Sequence, residues 1–397
     1  MRKGWMMCLF LFSYGWAQAQ EKTGKTDMQE LIQEQFQFAA NQYKVLSRQV
    51  PPDRMPKTYY ADRNEVETSD TKWWCSGFYP GALLYIYEHT GDTATLQEAN
   101  RRLAILEKEK HYTGNHDLGF MMYCSFGNAY RLTRNPAYKR TIDTAAASLA
   151  TRYRPGAGVI QSWNASRKWQ GPVIIDNMMN LELLYWVSDN GGDKKYRQIA
   201  LTHADNTLKN HFRPDYSSYH VIDYNLQTGQ VLKKVTAQGA ADSSAWSRGQ
   251  SWGLYGYTMM YRFSRNKRYL RHARNIAVFM LHHPNMPGDL VPYWDFDAPG
   301  IPNTYRDASA AAVMASALLE LGRYVRGKER KTYVAAAEKI IRSLSSPAYR
   351  ARLGENGGFL LMHSTGALPL KSEVDVPLTY ADYYYLEALH RYKNWYL

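Results

Sequence analysis

The sequence predicts an all-α chain of six helical hairpins, and three observations carry that prediction. Twelve segments place apolar residues at helical spacing, while few runs alternate as strands do. The segments fall into pairs joined by short turns of similar composition. Six of them open on clusters of residue types that do chemistry: Trp74-Cys75-Ser76-Gly77-Phe78, His116-Asp117-Leu118-Gly119-Phe120, Ile175-Asp176-Asn177, Trp246-Ser247-Arg248-Gly249-Gln250-Ser251-Trp252, Tyr305-Arg306-Asp307 and Tyr380-Ala381-Asp382-Tyr383.

In chain order the helical pattern covers residues 28–48, 76–90, 94–108, 117–134, 137–152, 177–189, 194–210, 246–264, 267–282, 307–324, 330–345 and 378–393. The turns inside the pairs are His89-Thr90-Gly91-Asp92, Leu132-Thr133-Arg134-Asn135-Pro136, Asn190-Gly191-Gly192-Asp193, Phe263-Ser264-Arg265-Asn266 and Val325-Arg326-Gly327-Lys328. Asn, Asp and Gly end one helix and start the next at little steric cost. Tyr130-Arg131-Leu132-Thr133-Arg134-Asn135 matches Tyr261-Arg262-Phe263-Ser264-Arg265-Asn266, with Tyr138 and Tyr269 following at equal spacing. An open solenoid and a closed ring both fit such a repeat. First partners are small and aromatic, as in Ala308-Ser309-Ala310-Ala311-Ala312, whereas second partners such as 333–343 are more charged. Inner and outer layers follow, and six pairs closing on themselves make an (α/α)6 barrel. The long loops before the inner helices then gather at one mouth. Residues 219–235 read as a small β-hairpin in one of these loops, turning at 225–229. No linker or low-complexity run divides the chain after its first residues, so residues 20–397 are expected to form one domain.

Residues 1–19 have the form of an export signal: Arg2 and Lys3, an apolar stretch over 5–16, then Ala17-Gln18-Ala19 as a cleavage site. The stretch is too short to span a bilayer, and no other run is long and apolar enough. The expected mature chain therefore has 397 − 19 = 378 residues and is exported, to a periplasm, without a membrane anchor. Cleavage removes Cys8 and leaves Cys75 and Cys124, which are expected as buried thiols rather than a disulfide. With no CxxC and no close His/Cys cluster, neither a structural metal nor a cofactor is expected.

The formal charge of +13 becomes 13 − 2 = +11 when Arg2 and Lys3 are removed. Such an excess steers anionic partners, although on a chain this long it also serves solubility alone. The basic residues are spread over helix faces rather than gathered in a tract, which argues against nucleic acid. Aromatics at 14% fit a carbohydrate cleft, since ring faces bind sugar C–H surfaces, while many of the rings serve ordinary packing.

Asp176 follows Val173-Ile174-Ile175 and precedes Asn177-Met178-Met179. A carboxyl in that setting is desolvated and holds a proton near neutral pH; an N-cap explains the same aspartate equally well. Asp117 stands at the corresponding place in another pair, beside His116; a cap and a satisfied core histidine also explain these two residues, while the two aspartates fit a pair working across one pocket. Arg248, between Trp246 and Trp252, fits a site for a carboxylate on a sugar, or an arginine stacked on an indole for structure. Gly249-Gln250-Ser251-Trp252-Gly253 also matches the G-x-S-x-G nucleophile elbow, but that motif needs a strand before it in an α/β alternation, and this chain is α/α.

Taken together, these segments resemble the unsaturated glucuronyl hydrolases, glycoside hydrolase family 88. The resemblance runs in consistent order through the Trp74, Asp117 and Asp176 clusters, Ser218-Tyr219-His220, Gln238-Gly239, the 246–252 segment, Glu373-Val374-Asp375-Val376-Pro377 and Tyr380-Ala381-Asp382-Tyr383-Tyr384. It implies an (α/α)6 barrel acting on the 4,5-unsaturated uronic acid that lyases leave at the non-reducing end of an oligosaccharide. It implies hydration of the C4=C5 double bond: Asp176 protonates C4 and helps activate the water that adds at C5, and the hemiketal opens with loss of the glycosidic link. Asp117 holds ring hydroxyls and assists charge development, while His116, His220 and Gln238 contact the sugar or water. Arg248, with Ser244 nearby, faces the anionic end; Trp74 and Trp252 supply stacking surfaces; Ser364, in the 363–371 segment, lines the next sugar's site. Cys75 stands where threonine is common in the family, and Ala237 where histidine often precedes the glutamine; both departures bear on subsite detail.

Three other functions compete. An unsaturated rhamnogalacturonyl hydrolase shares the barrel and the chemistry; the glutamine of Arg248-Gly249-Gln250 and the C-terminal match favour the glucuronyl group. A non-catalytic periplasmic sugar-binding protein is disfavoured by the intact aspartates, and a helical scaffold by the polar residues gathered at one mouth. The expected partner is an anionic unsaturated oligosaccharide, with glycosaminoglycan fragments preferred on charge.

Overall fold

A computed structural model describes residues 5–397, with side chains from residue 25 onward, so the expected leader over 1–19 lies outside the described side chains. Twelve α-helices dominate: α1 (Trp5–Gln49), α2 (Phe78–Thr90), α3 (Thr93–Leu106), α4 (Asn128–Thr133), α5 (Pro136–Ala150), α6 (Leu181–Asp189), α7 (Lys194–Asn210), α8 (Ser247–Ser264), α9 (Lys267–His282), α10 (Ala308–Gly322), α11 (Gly327–Leu344) and α12 (Thr379–Tyr396). The even-numbered helices form an inner ring in which each packs on the next, except that α6 is met by the segment 119–127 leading into α4, and α12 returns to α2 to close it. The odd-numbered helices lie outside, with α1 completing the pair begun by α12. The closed (α/α)6 barrel, rather than the open solenoid, is thus the fold of this chain.

Composition decides the layers. Every residue of α10 is buried, because small side chains let six helices crowd around one axis. Outer helices such as α9 bury only a stripe, in this case Tyr269, His272, Ala273, Ile276, Ala277 and Met280. The turns within pairs work by capping. Arg134 and Arg265 both end a helix in the left-handed region, with φ of 56° and 55°. Asn135 and Asn266 then accept the N–H groups of Ala137 and Arg268 as N-caps. The internal repeat read in the sequence is therefore one physical device used twice.

Two inner segments are not regular α-helix. Gly119–Gly127 winds as a π-helix before α4, and Ile175–Asn180 as a 3-10 helix before α6. These are the segments adjoining Asp117 and Asp176, in keeping with the association of such irregular turns with functional sites.

Nine short strands occur among the described residues. The expected hairpin is present as β6 (Val221–Tyr224) with β7 (Val231–Val235), and β5 (Pro172–Ile174) adds a third antiparallel strand. Three further hairpins lie outside the expectation of a single one: β1 (Met55–Tyr60) with β2 (Glu65–Ser69), β3 (Tyr153–Arg154) with β4 (Val159–Ile160), and β8 (Ser364–Ala367) with β9 (Ser372–Val376). These strands are short and their pairings irregular, so they leave little period in the sequence. Among the described residues Cys75 and Cys124 are free thiols, and no helix is long and apolar enough to cross a membrane.

Candidate active site

Asp117 and Asp176 lie at the starts of neighbouring inner segments, and a glycine sets how near those starts come. A Cβ on residue 119 would lie 2.4 Å from the Asn180 Cα, so only glycine permits the approach. The Asn180 Oδ1 then accepts the Phe120 N–H at 3.0 Å, tying the two starts together. No side chain caps either segment. The capping alternative instead describes Asp307, whose carboxylate accepts the Ser309 and Ala310 N–H groups at the start of α10.

Both carboxyls hold protons more tightly than usual. Burial pushes Asp117 up to about 8; the charge of Asp176 adds to the rise and Arg152 opposes it. Burial also pushes Asp176 up to about 7, opposed by Arg248, its own backbone N–H and the Trp252 indole. Its Oδ2 is buried without a hydrogen-bond partner.

Each aspartate faces a neutral histidine. Burial depresses His116 and His220 alike, to about 3. The His220 Nδ1 accepts the Ala237 and Gln238 N–H groups at 3.0 and 3.2 Å. Its proton is therefore on Nε2, which lies 3.8 Å from the Asp176 Oδ2. The sheet makes this pairing: the Ile175 N–H donates to the His220 carbonyl as β5 runs beside β6. The His116 Nε2 lies 3.3 Å from the Asp117 Oδ1. On the other side of that ring, Ser162 Oγ accepts the Ile174 N–H and stands 3.4 Å from Nδ1.

Several expected roles change. The Arg248 Nη1 donates to Asp307 at 2.8 Å and to the Thr365 carbonyl at 2.6 Å, and Nη2 donates to the Gly366 carbonyl at 2.5 Å. With only 2% of its surface exposed, this arginine clasps β8 to α10 instead of presenting an open fork to an anion. Its charge still reaches Asp176. Ser244 is spent in a turn, donating to the Asp295 carboxylate at 2.7 Å and accepting the Ala241 N–H at 3.0 Å. Trp252 is fully buried against Phe120 and Tyr384, so it offers no stacking face; its indole N–H bears on Asp176. Trp74 is half-buried and packed on Phe120 and Tyr380, the tryptophan of the two that keeps some exposed surface. The Gln238 Oε1 and Ser364 Oγ are buried and without partners.

Three residues here had no assigned role in the sequence reading. The Trp163 ring meets the edge of His220 at 6.1 Å, from a loop with no periodic signal. Tyr380 lies under the Arg248 guanidinium with its hydroxyl unpartnered. Glu373 is buried at φ 55° with its carboxylate 3.5 Å from the Lys57 Nζ. Buried polar atoms without partners each cost about 1–3 kcal/mol. Two of them, the Asp176 Oδ2 and the His220 Nε2, face each other across 3.8 Å, a setting that a polar ligand would complete.

Comparison with known proteins gives the family of the chain. The Glycosyl Hydrolase Family 88 profile matches residues 46–396. An unsaturated glucuronyl hydrolase of Formosa agariphila is 42% identical over 379 residues, covering 95% of this chain and 94% of that protein. An unsaturated chondroitin disaccharide hydrolase of Streptococcus pyogenes is 33% identical over 340 residues, covering 84% of each chain. The crystal structure of an unsaturated glucuronyl hydrolase specific for heparin superposes with a TM-score of 0.89 at 46% identity, covering 92% of this chain and 97% of that one.

Proposed function

This chain belongs to glycosyl hydrolase family 88, and on that premise we propose that it removes the 4,5-unsaturated uronic acid from the non-reducing end of lyase-generated glycosaminoglycan fragments. The observation that carries the reading is the Asp176 carboxyl, pushed up to about 7 beside a neutral His220. A carboxyl poised there is protonated often enough to give a proton and ionised often enough to take one back. Asp176 delivers its proton to C4 of the vinyl ether while positive charge develops at C5. Water adds at C5 and returns a proton to the Asp176 carboxylate, so the net change is addition of one water across C4=C5. The hemiketal then opens and releases the rest of the chain.

The neutral His220 Nε2–H orients the water or a ring hydroxyl between itself and Asp176. Asp117, raised to about 8, donates a hydrogen bond to a ring hydroxyl as the neutral acid. Substrate polar groups meet the unpartnered atoms of Gln238, Ser364 and Tyr380, and Trp74 and Trp163 border the sugar. The relatives' named substrates, an unsaturated chondroitin disaccharide and heparin, support a glycosaminoglycan source. The basic charge of this chain favours the same class.

The ultraviolet absorbance of the conjugated double bond tests the proposal. Purified protein is mixed with unsaturated disaccharides from chondroitin, heparin and hyaluronan, sulfated and unsulfated, and with unsaturated rhamnogalacturonan. Decay on glycosaminoglycan members is expected; decay on the pectin fragment alone overturns the substrate class. The residue pattern over 1–19 further supports export to the periplasm, which cell fractionation with N-terminal sequencing checks.

A further inference from the structure

At the end of the barrel away from the two aspartates, a second group of side chains converges from helices that the sequence keeps 301 residues apart. Glu88 and His89 lie in the last turn of α2, and His390 lies on α12. The His89 Nε2 stands 3.0 Å from the His390 Nδ1, and the Glu88 Oε2 stands 3.5 Å from the same nitrogen. All three donor atoms lie within 4.8 Å of one another. A tetrahedral zinc ion with ligands at about 2.0–2.1 Å sets its donors roughly 3.3 Å apart, and the two measured separations bracket that edge.

We propose that Glu88, His89 and His390 form a divalent-metal site, best suited to zinc, that staples the first inner helix to the last. Two imidazoles and a carboxylate supply three of the four positions of a tetrahedral centre and leave the fourth to water. His390 also lines a cavity of about 380 Å³ toward the C-terminal ends of the inner helices.

The neighbouring groups make the site conditional. The Lys393 ammonium, which can only donate, lies 3.2 Å from the His89 Nδ1 and so keeps the imidazole proton on Nε2, pointing at His390. Metal binding moves that proton to Nδ1, and the exposed Lys393 swings away. Arg131 donates to both Glu88 oxygens at 2.8 and 2.6 Å, and each oxygen retains a second lone pair. The two cations, and the Asn394 amide nitrogen 3.2 Å from the His390 Nδ1, weaken the site without filling it. A link across so long a loop constrains the unfolded chain strongly. The site is independent of the activity proposed above.

Untagged full-length protein titrated with zinc chloride in a non-chelating buffer tests this, followed by calorimetry and thermal melting. One saturable zinc per chain is expected, with melting raised by about 3 °C at a hundredfold excess over the dissociation constant. His390→Gln and His89→Gln, on opposite helices, should each abolish uptake while circular dichroism shows them folded. Lys393→Ala should tighten binding roughly threefold by removing the competing donor and its charge. Absence of saturable uptake overturns the site, as does uptake that persists in both histidine variants.

Discussion

The Nε2–H of His220 faces the Asp176 Oδ2 across 3.8 Å, and neither atom has a hydrogen-bond partner in the protein. The two backbone N–H groups on Nδ1 fix this tautomer, so the imidazole serves as a donor and not as a base. Replacing His220 with Phe keeps the ring against Trp246 and deletes the donor. The turnover number should fall by about 10- to 100-fold, and the melting temperature should drop as well, because the Ala237 and Gln238 N–H groups lose their acceptor. An unaltered turnover number would detach His220 from the reaction.

Asp176→Asn removes the proton donor while keeping the side-chain shape. Turnover should fall by about 10³-fold or more, with the far-ultraviolet spectrum unchanged. Decay of the double-bond absorbance at a near-wild-type rate would dismiss Asp176 from the mechanism.

The donor role of Asp176 fixes the sign of the pH dependence. The acid form is the donor, so activity should decline as pH rises through about 7. The Trp252 indole N–H makes no hydrogen bond within the protein, but it lies near this carboxylate, favours its charged form and holds that value down. Trp252→Phe therefore shifts the declining limb to higher pH, read from kcat/KM profiles of both proteins. A shift to lower pH, or none, contradicts the assigned contact.

Asp117 ties stability to the same chemistry. Its folded value of about 8 lies above the ordinary aspartate value of about 3.9. Between those values the native state binds more protons than the unfolded chain, so stability falls as pH rises through this window. Asp117→Asn carries no charge to desolvate. It should be more stable than wild type at pH 9, on the order of 5 kcal/mol, with the advantage gone at pH 4. Urea unfolding at the two pH values checks this, and an equal difference at both would refute the linkage.

Much of this arrangement was legible in the chain because it is written locally. Helical period, the Asn135 and Asn266 turns and the apolar flanks of Asp176 all lie within a few residues of one another. What escaped depends on contacts between distant segments. Trp163 reaches His220 only because β5 pairs with β6, and Glu88 meets His390 only because the ring closes. The same limit produced the altered roles. The sequence cannot show that Asp307 and the β8 carbonyls already occupy Arg248, or that Asp295 holds Ser244.

The Arg248–Asp307 pair gives the remaining prediction, because its two ends do different work. Arg248 is 3% and Asp307 0% exposed in their side chains, so each neutralises a charge that water cannot reach. Removing either partner strands the other, at a cost of about 3–5 kcal/mol. Arg248→Ala loses the clasp on Thr365 and Gly366 as well, freeing the β8–β9 hairpin that carries Ser364 and Glu373. That variant should melt lower and show a raised KM. Asp307→Asn keeps the clasp while losing the counter-charge that holds the guanidinium in place. It should lower the melting temperature with a smaller change in KM. Measuring both parameters in both variants separates support of the hairpin from direct capture of an anion. A raised KM in Arg248→Ala with unchanged melting would mean that the guanidinium acts on the substrate after all.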